Sequence, residues 1–444
     1  MDLRAMIGAA LLLFAAASSA EQIRGLIDQD RWKEAVDAAT TLAREAPGPD
    51  AAGVLGEALY RAGRIDEAGE ALAPVASGEN APARVLAQLG LIRAAQGKDE
   101  EAAALLGRAA ATAPDDPWVL WRAAGGAATR AKATELLNAY IAHGTAENPD
   151  RLEGARGTLR LYAALGERKI WVPVTRPERL EIPLKPIPDG SGYFIEANAG
   201  GKKIRLLLDT GSTGLFVVER AVKKGGLVPL SEETVFAGGG SGRASSSRGL
   251  LAKLDFGGLV YADALVTTTK DEFDKTGRVH GVVGLSAFSG YRVTLDLPKG
   301  RMILEPSGDL PQGTPYWNVE GQLLVRARGG ESADGLFLFD TGATQSMIDT
   351  KLAATIPGAA VDKPAEIRTY GGNVQGATMV RGASLAFQTL HRSGVFNAAD
   401  LTMRSRLGGV EVSGYLGLDL LSGCTIVLDT GSHRVVVTPP PGRR

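Results

Sequence analysis

The sequence LLLDTGS at residues 206–212 returns as FLFDTGA at residues 337–343. Each copy is an apolar run, typical of a buried strand, that ends in Asp-Thr-Gly. Two copies of one motif, each in its own half of the C-terminal region, indicate two similar half-domains in one chain. Two carboxyl groups that meet on a symmetry axis, here those of Asp209 and Asp340, can share a proton and activate a water molecule.

Two further repeats support the duplication. GVVGL at residues 281–285 matches GYLGL at 414–418, and RVTLDLPKGR at 292–301 matches TIVLDTGSHR at 425–434. The second match explains a third Asp-Thr-Gly at residues 429–431, because Asp429 aligns with Asp296, where the first half reads Asp-Leu-Pro. An Asp that enters a tight turn between two apolar strands is ordinary in hairpins, so we expect Asp429 to lie in a turn.

The order of these motifs resembles that of the retropepsin and pepsin clan of aspartic peptidases. The shared pattern is an apolar strand with Asp-Thr-Gly, then a Gly-rich segment, then an apolar-apolar-Gly motif, and both halves contain it. The resemblance covers residues 190–439, and its halves are similar in size to a retropepsin subunit. It implies an all-β, bilobal acid-protease fold, with lobe 1 at residues 191–310, lobe 2 at 311–439 and a tail at 440–444.

By that resemblance, Asp209 and Asp340 are the catalytic pair of an aspartic endopeptidase that needs neither a cofactor nor a metal ion. Neighbouring residues would support the two loops. Thr210 and Thr341 would form hydrogen bonds across the lobe interface, and Gly211 and Gly342 would let the backbone approach the carboxyl groups closely.

The two motifs differ in the residue that follows them. Ser212 follows the first motif, and Ala343 follows the second. A hydroxyl group beside Asp209 would favour its ionised form, so we expect Asp209 to be the more acidic partner. The substitution Ser212→Ala is then expected to move the acid limb of activity to higher pH.

Two glycine-rich segments are candidate flaps over the substrate, because such hairpin tips bend easily. They are FAGGGSG at residues 236–242 and TYGGN at residues 369–373, and their candidate binding residues are Gly238, Gly239, Gly240, Tyr370, Gly371 and Gly372. Both segments are also compatible with plain surface loops. A protein or peptide substrate would bind between them in extended form, as an added strand.

Residues 21–170 are Ala-rich and have helical periodicity. Three similar motifs follow one another at nearly equal spacing: DRWKEA at residues 30–35, GRIDEA at 63–68 and GKDEEA at 97–102. Their period of about 34 residues resembles that of the tetratricopeptide repeat, a helix-turn-helix unit that stacks into a solenoid; a generic helical bundle is the alternative. The Pro-rich residues 171–190 are expected to form a stiff linker.

The composition narrows the possible partners and compartments. The net charge is −1 and no long basic segment occurs, which argues against a nucleic-acid partner. One cysteine excludes an internal disulfide. Residues 1–20 are typical of a signal peptide, so we expect export to a bacterial periplasm or secretion; membrane contact is expected only if the segment stays uncleaved.

These patterns predict an exported aspartic endopeptidase whose helical repeats recruit a substrate or a partner protein. A non-catalytic periplasmic scaffold with a peptidase-like β domain is the alternative. In a third hypothesis the chain is an enzyme and the repeats cap or inhibit its cleft.

Overall fold

The computed structural model describes residues 19–144, 149–236, 243–273, 277–330, 333–369 and 372–442. The chain divides into two compact units. Helices α1 to α8 lie in the first unit, and helix α9 lies in the second with all of the strands. The predicted order, a helical region followed by an all-β bilobal region, is confirmed. Most of the predicted signal peptide lies outside the described residues.

The first unit is a series of helix pairs. Its helices are α1 (Ala20–Asp28), α2 (Trp32–Glu45), α3 (Pro49–Arg61), α4 (Ile65–Ala76), α5 (Ala83–Ala95), α6 (Asp99–Thr112), α7 (Pro117–Gly125) and α8 (Arg130–His143). Within the described part of the chain, no helix is both long and apolar enough to cross a membrane.

The repeated sequence motifs mark the turns of these pairs. The turns before α2, α4 and α6 contain Asp30, Gly63 and Gly97, whose φ angles are 57°, 73° and 75°. This left-handed conformation ends one helix and starts the next, and glycine adopts it without strain. The period in the sequence is therefore a structural repeat of helical hairpins, and its identification as a tetratricopeptide repeat stays a prediction.

The strands of the second unit form two large sheets and a small hairpin. The strands of the first half are β1 (Val172–Thr175), β2 (Leu180–Pro183), β3 (Lys185–Pro186), β4 (Tyr193–Ala199), β5 (Lys202–Leu208), β6 (Leu215–Val218), β7 (Leu227–Phe236), β8 (Arg243–Asp255), β9 (Val260–Thr269), β10 (Gly281–Val283), β11 (Tyr291–Asp296) and β12 (Arg301–Pro306). The strands of the second half are β13 (Thr314–Val319), β14 (Gln322–Gly329), β15 (Ala333–Phe339), β16 (Met347–Asp349), β17 (Ala360–Pro364), β18 (Arg368–Thr369), β19 (Gly372–Asn373), β20 (Thr378–Phe387), β21 (Leu390–Ala399), β22 (Gly414–Leu416), β23 (Thr425–Asp429) and β24 (Arg434–Thr438).

Further helices precede these strands or lie between them. They are α9 (Pro149–Leu165), α10 (Glu219–Val222), α11 (Thr350–Thr355), α12 (Thr402–Gly408) and α13 (Leu418–Leu421), and a short 3₁₀ helix spans Leu285–Phe288.

Each half repeats one strand pattern. In the first sheet, β10 lies between β5, with which it is parallel, and β6, with which it is antiparallel. In the second sheet, β22 lies in the same way between β15 and β16. A methyl group at Gly281 or at Gly414 would lie 2.2 Å from a neighbouring carbonyl oxygen, so both inserted strands need a glycine at their first position.

The closing hairpins of the two halves pair with each other. Strand β11 of the first half is antiparallel to β23 of the second, and Thr294 lies opposite Val427. The internal repeat aligns these same two residues, just as it aligns Asp296 with Asp429. The pseudo-twofold axis therefore passes between them, and the two hairpins form a shared sheet beneath both lobes.

The predicted linker at residues 171–190 is instead part of the β region. Its strands β1 and β2 pair with β9 and β12, and β3 pairs with β4. Strands β1 and β2 lie at the ends of their sheets. Proline cannot donate to a neighbouring strand and is tolerated at such edges, which explains how Pro173 and Pro183 fit there.

Helix α9 packs on lobe 1. Its Leu161 and Leu165 are buried against Leu250 of β8, with Leu230 and Leu265 beside them. The last predicted helix of the N-terminal region thus belongs structurally with the β region.

Candidate functional site

Equivalent strands deliver Asp209 and Asp340. Each Asp directly follows an apolar strand, β5 or β15, much of which is buried. The main-chain N–H of Asp209 donates to the carbonyl oxygen of Val283, and that of Asp340 donates to the carbonyl oxygen of Leu416, both at 3.1 Å. The inserted strands β10 and β22 therefore fix the two Asp residues at corresponding points of the two lobes.

Thr210 and Thr341 form reciprocal hydrogen bonds between the lobes. The N–H of each donates to the hydroxyl oxygen of the other at 3.1 Å. The Thr341 hydroxyl group donates to the carbonyl oxygen of Leu208 at 2.8 Å, and the Thr210 hydroxyl group donates to that of Phe339. Both Thr side chains are buried, so the hydrogen bonds that hold the two Asp loops together are shielded from solvent.

Each motif glycine faces the carboxyl group of the opposite motif. A methyl group at Gly211 would lie 2.8 Å from Cγ of Asp340, and one at Gly342 would lie 2.5 Å from Cγ of Asp209. Real side chains essentially never approach this closely, so the arrangement requires glycine at both positions. The expected close approach of the backbone is present on both sides.

The carboxyl groups of Asp209 and Asp340 lie close enough to affect each other's pKa values. Burial, and then the charge of Asp340, raise the pKa of Asp209 well above its usual value, and the N–H groups of Gly211 and Ser212 oppose that rise. Burial also raises the pKa of Asp340, and the interaction with Asp209 and the N–H groups of Gly342 and Ala343 oppose that effect. The pair therefore retains one proton that the two carboxyl groups share.

The hydrogen bond by which the Ser212 hydroxyl group was expected to stabilise the Asp209 carboxylate is not formed among the described residues. That hydroxyl group donates to the carbonyl oxygen of Gly214 at 3.5 Å. Each carboxyl group instead receives main-chain N–H groups from its own loop, those of Gly211 and Ser212 at Asp209 and those of Gly342 and Ala343 at Asp340. Which member is the more acidic stays a prediction.

Asp429, in the third motif, lies at a turn, at the end of β23. Its carboxyl group is fully buried and accepts hydrogen bonds from Ser307, Gly308 and Ser432, and it forms an ion pair with Arg292. Burial raises its pKa, but these hydrogen bonds outweigh burial and lower the pKa to about 2. The third motif thus supplies an ionised structural group and no member of the Asp209–Asp340 pair.

The tips of both predicted flaps lie outside the described residues: these are Gly238, Gly239 and Gly240 in lobe 1, and Tyr370 and Gly371 in lobe 2. In lobe 1, strands β7 and β8 pair up to Phe236 opposite Arg243. In lobe 2, Thr369 of β18 pairs with Gly372 of β19. Antiparallel strands therefore flank both glycine-rich segments, as they would in a hairpin.

Arg404 and Tyr415 are charged or polar neighbours of the pair that the sequence motifs did not single out. The charge of Arg404 opposes the rise in the pKa of Asp340. Burial raises the pKa of Tyr415, while the charge of Arg404 lowers it and the charge of Asp340 raises it. The internal alignment contains a signal for Tyr415, because the matching residue in lobe 1 is Val282. Arg404 lies between the aligned motifs, where the sequence offers no such signal.

In the part of the chain that the structure describes, no group of three or more His, Cys, Asp or Glu side chains is placed to hold a metal ion. The chemistry of the site rests on the two carboxyl groups and the donors around them.

Comparisons with known proteins match the same two regions. The family model described as "Aspartyl protease" matches residues 195–287 and 325–420. Each matched segment contains one member of the Asp209–Asp340 pair, and the third motif at Asp429 lies outside both. No curated protein matches the chain.

Several solved structures are similar at low identity. They include basic 7S globulin from soybean (13% identity, 59% of this chain and 95% of that chain, TM-score 0.35) and conglutin gamma from lupine seeds (11%, 60% and 96%, 0.36). A retropepsin-like aspartic protease from Rickettsia conorii is 19% identical over 30% of this chain and 96% of its own, with a TM-score of 0.21. With TM-scores below 0.5, these likenesses add nothing to the family match and the site geometry. The family match in both halves, with one Asp-Thr-Gly loop in each, supports an aspartyl-protease-like bilobal fold for the β region.

Proposed function

We propose that the chain is an aspartic endopeptidase that hydrolyses peptide bonds with a water molecule activated by Asp209 and Asp340. The observation that carries the proposal is the close approach of two carboxyl groups from equivalent loops, which the cross-lobe Thr bonds and the facing glycines hold together. A buried pair with one proton supplies an acid and a base at the same point.

The two members of the pair take different roles. The ionised member takes a proton from the attacking water. The protonated member hydrogen-bonds to the oxygen of the scissile carbonyl group and stabilises the charge that develops there. The proton moves on to the leaving amine, and the enzyme forms no covalent intermediate.

The remaining parts of the chain are assigned roles by the same proposal. The flaps would close over an extended peptide, with Tyr370 as a contact in lobe 2. The helical hairpins would recruit a protein substrate or partner, and the N-terminal segment would direct export to a periplasm or out of the cell. The regular helix pairs and the strands that flank both flap tips support the first two of these assignments.

The test is a digest of a peptide library between pH 4 and pH 8 with the wild type, Asp209→Asn and Asp340→Asn. A matched control is Asp334→Asn, which changes an exposed Asp on the same strand as Asp340. We expect cleavage by the wild type and the control, and a loss of at least about a thousandfold in both pair variants. Cleavage that survives both substitutions would refute the assignment, and binding without cleavage by the wild type would favour the scaffold.

A further inference from the structure

Tyr415 lies beside Asp340 in lobe 2 and is 6% exposed. In the parallel pair of β22 and β15, Tyr415 is opposite Leu338, two residues before Asp340. Because side chains alternate along a strand, Leu338, Asp340 and Tyr415 point to one face. In lobe 1 the equivalent neighbour of Asp209 is Val282, an apolar residue. The two lobes thus present different chemistry next to their catalytic Asp.

Helix α12 begins beside β22. The N–H of Leu401 donates to Asp349, and the N–H of Asp349 donates to the carbonyl oxygen of Ser413, two residues before Tyr415, both at 2.8 Å. In the middle of the helix, Ser405 accepts from the N–H of Val412 at 2.9 Å. The charge of Arg404, on this helix, acts on both Asp340 and Tyr415. Leu401 and Ser405 are buried, and Arg404, three residues after Leu401, shares their face and is half-buried.

Across the described ranges, the Arg404 guanidinium forms no hydrogen bond or ion pair, and the Tyr415 hydroxyl group forms no hydrogen bond. A half-buried guanidinium without a hydrogen-bond partner has lost hydration, and only its longer-range attraction to Asp340 compensates for that loss. Such a group is suited to a partner that arrives with the substrate.

We propose that Arg404 and Tyr415 form a subsite on the lobe 2 side of the Asp pair, and that this subsite binds a carboxylate of the substrate next to the scissile bond. The inference rests on the proposed peptidase function and gives it a substrate class, acidic peptides. A guanidinium binds a carboxylate through two parallel N–H donors, and a phenol adds a third donor. The carboxylate is either that of an Asp or Glu side chain or the free C-terminus of the peptide.

The test compares matched peptides with the full-length protein. One pair has Glu or Gln next to the bond that the wild type cuts, with both ends blocked, and a second pair has a free or an amidated C-terminus. The variants are Arg404→Gln, Tyr415→Phe and, as the matched control on the exposed face of the same helix, Arg406→Gln.

We expect the wild type and Arg406→Gln to cleave the acidic member of one pair at least about tenfold more efficiently in kcat/KM than the neutral member. The pair that shows this preference identifies the source of the carboxylate. Arg404→Gln should abolish the preference, so that it cleaves both members of the pair equally, and Tyr415→Phe should reduce the preference in part. Equal cleavage of both members by the wild type would overturn the inference, and so would a preference that survives Arg404→Gln.

A binding measurement separates this inference from the proposed function. The affinities of the same peptides are measured for Asp209→Asn, which keeps the charge of Asp340, with and without Arg404→Gln. Tighter binding of the acidic peptide, lost with Arg404→Gln, supports the subsite even if the wild type cleaves nothing. If cleavage occurs but neither kcat/KM nor affinity distinguishes the peptides, the peptidase assignment stands and the subsite does not.

Discussion

Gly342 lies directly against the carboxyl group of Asp209, so that a methyl group on Gly342 would come within 2.5 Å of Cγ and 2.7 Å of Oδ2. Gly342→Ala must therefore displace the carboxyl group of Asp209. Because a misplacement of about 1 Å reduces a rate by roughly a hundredfold, we expect kcat to fall by about that factor. Steady-state kinetics with a peptide that the wild type cleaves measures the change in kcat.

The control for this prediction is Gly214→Ala. Gly214 lies in the first Asp loop region, but a methyl group there would contact nothing within 4 Å. We expect this variant to retain activity within about threefold of the wild type. Full activity of Gly342→Ala would show that the two carboxyl groups are not held as closely as described.

The reciprocal Thr bonds predict a measurable coupling between the lobes. Thr210→Val removes the acceptor of the Thr341 N–H and leaves a buried donor without a partner, which destabilises the fold by about 1–3 kcal/mol. Thr341→Val should have a similar effect. Because both substitutions break one network, the double variant should lose less than the sum. Urea unfolding of the four proteins measures this, with the exposed Thr213→Val as a control; strict additivity would contradict the network.

The substitution Asp429→Asn tests whether the third Asp-Thr-Gly motif has a structural role, unlike the other two. The folded-state pKa of Asp429 is about 2, below the unfolded value of about 3.9, so its ionised form stabilises the fold above pH 4. That stabilisation, about 2–3 kcal/mol, is lost as the pH falls through 2. We expect the variant to be less stable than the wild type at pH 7 and nearly equal to it near pH 2, in denaturant unfolding at several pH values. A constant difference across this range would contradict the low pKa.

The sequence was sufficient to predict the strands that carry Asp209 and Asp340, because an apolar strand followed by Asp-Thr-Gly is a local pattern. It also placed Asp429 in a turn, since the repeat aligns that residue with Asp296. These features depend on residues that are close in sequence or related by one fixed spacing.

The contacts of the Ser212 side chain could not be predicted in that way. Its hydroxyl group donates to the carbonyl oxygen of Gly214, a contact that depends on the three-dimensional path of the loop. The pairing of β11 with β23 is likewise invisible in sequence, because pairing over such a distance leaves no local pattern. The sequence of residues 171–190 predicts a linker because proline is frequent in linkers, but proline is also tolerated in edge strands.

Asp209→Asn should change how stability depends on pH. Both pair members have raised folded-state pKa values, so the folded protein keeps protons that the unfolded chain has released. Stability therefore falls as the pH rises from the unfolded pKa of about 3.9 through the raised values of the pair. Asn cannot ionise and can still donate to Asp340. We expect the Tm of the variant to exceed that of the wild type increasingly toward neutral pH; parallel Tm curves would contradict the raised pKa values.

The packing of helix α9 on lobe 1 determines which deletions of the helical region leave lobe 1 intact. Leu165 is 3% exposed and packs with Leu161 against Leu250, which is fully buried. Leu165→Ala should therefore cost about 2–5 kcal/mol, whereas Arg156→Ala, on the exposed face of the same helix, should change stability by less than about 0.5 kcal/mol. Denaturant unfolding measures both, and equal effects would show that α9 does not belong to lobe 1.

A deletion that ends at residue 144 keeps α9, so we expect it to leave lobe 1 intact, whereas one that ends at residue 168 exposes Leu250 and should lower the Tm. With the first deletion, the role of the repeats becomes measurable. Slower cleavage of a large protein with unchanged cleavage of a short peptide would support recruitment, because only the large substrate can contact the repeats. Faster cleavage of the short peptide would support an inhibitory role, and no change in either rate would contradict both.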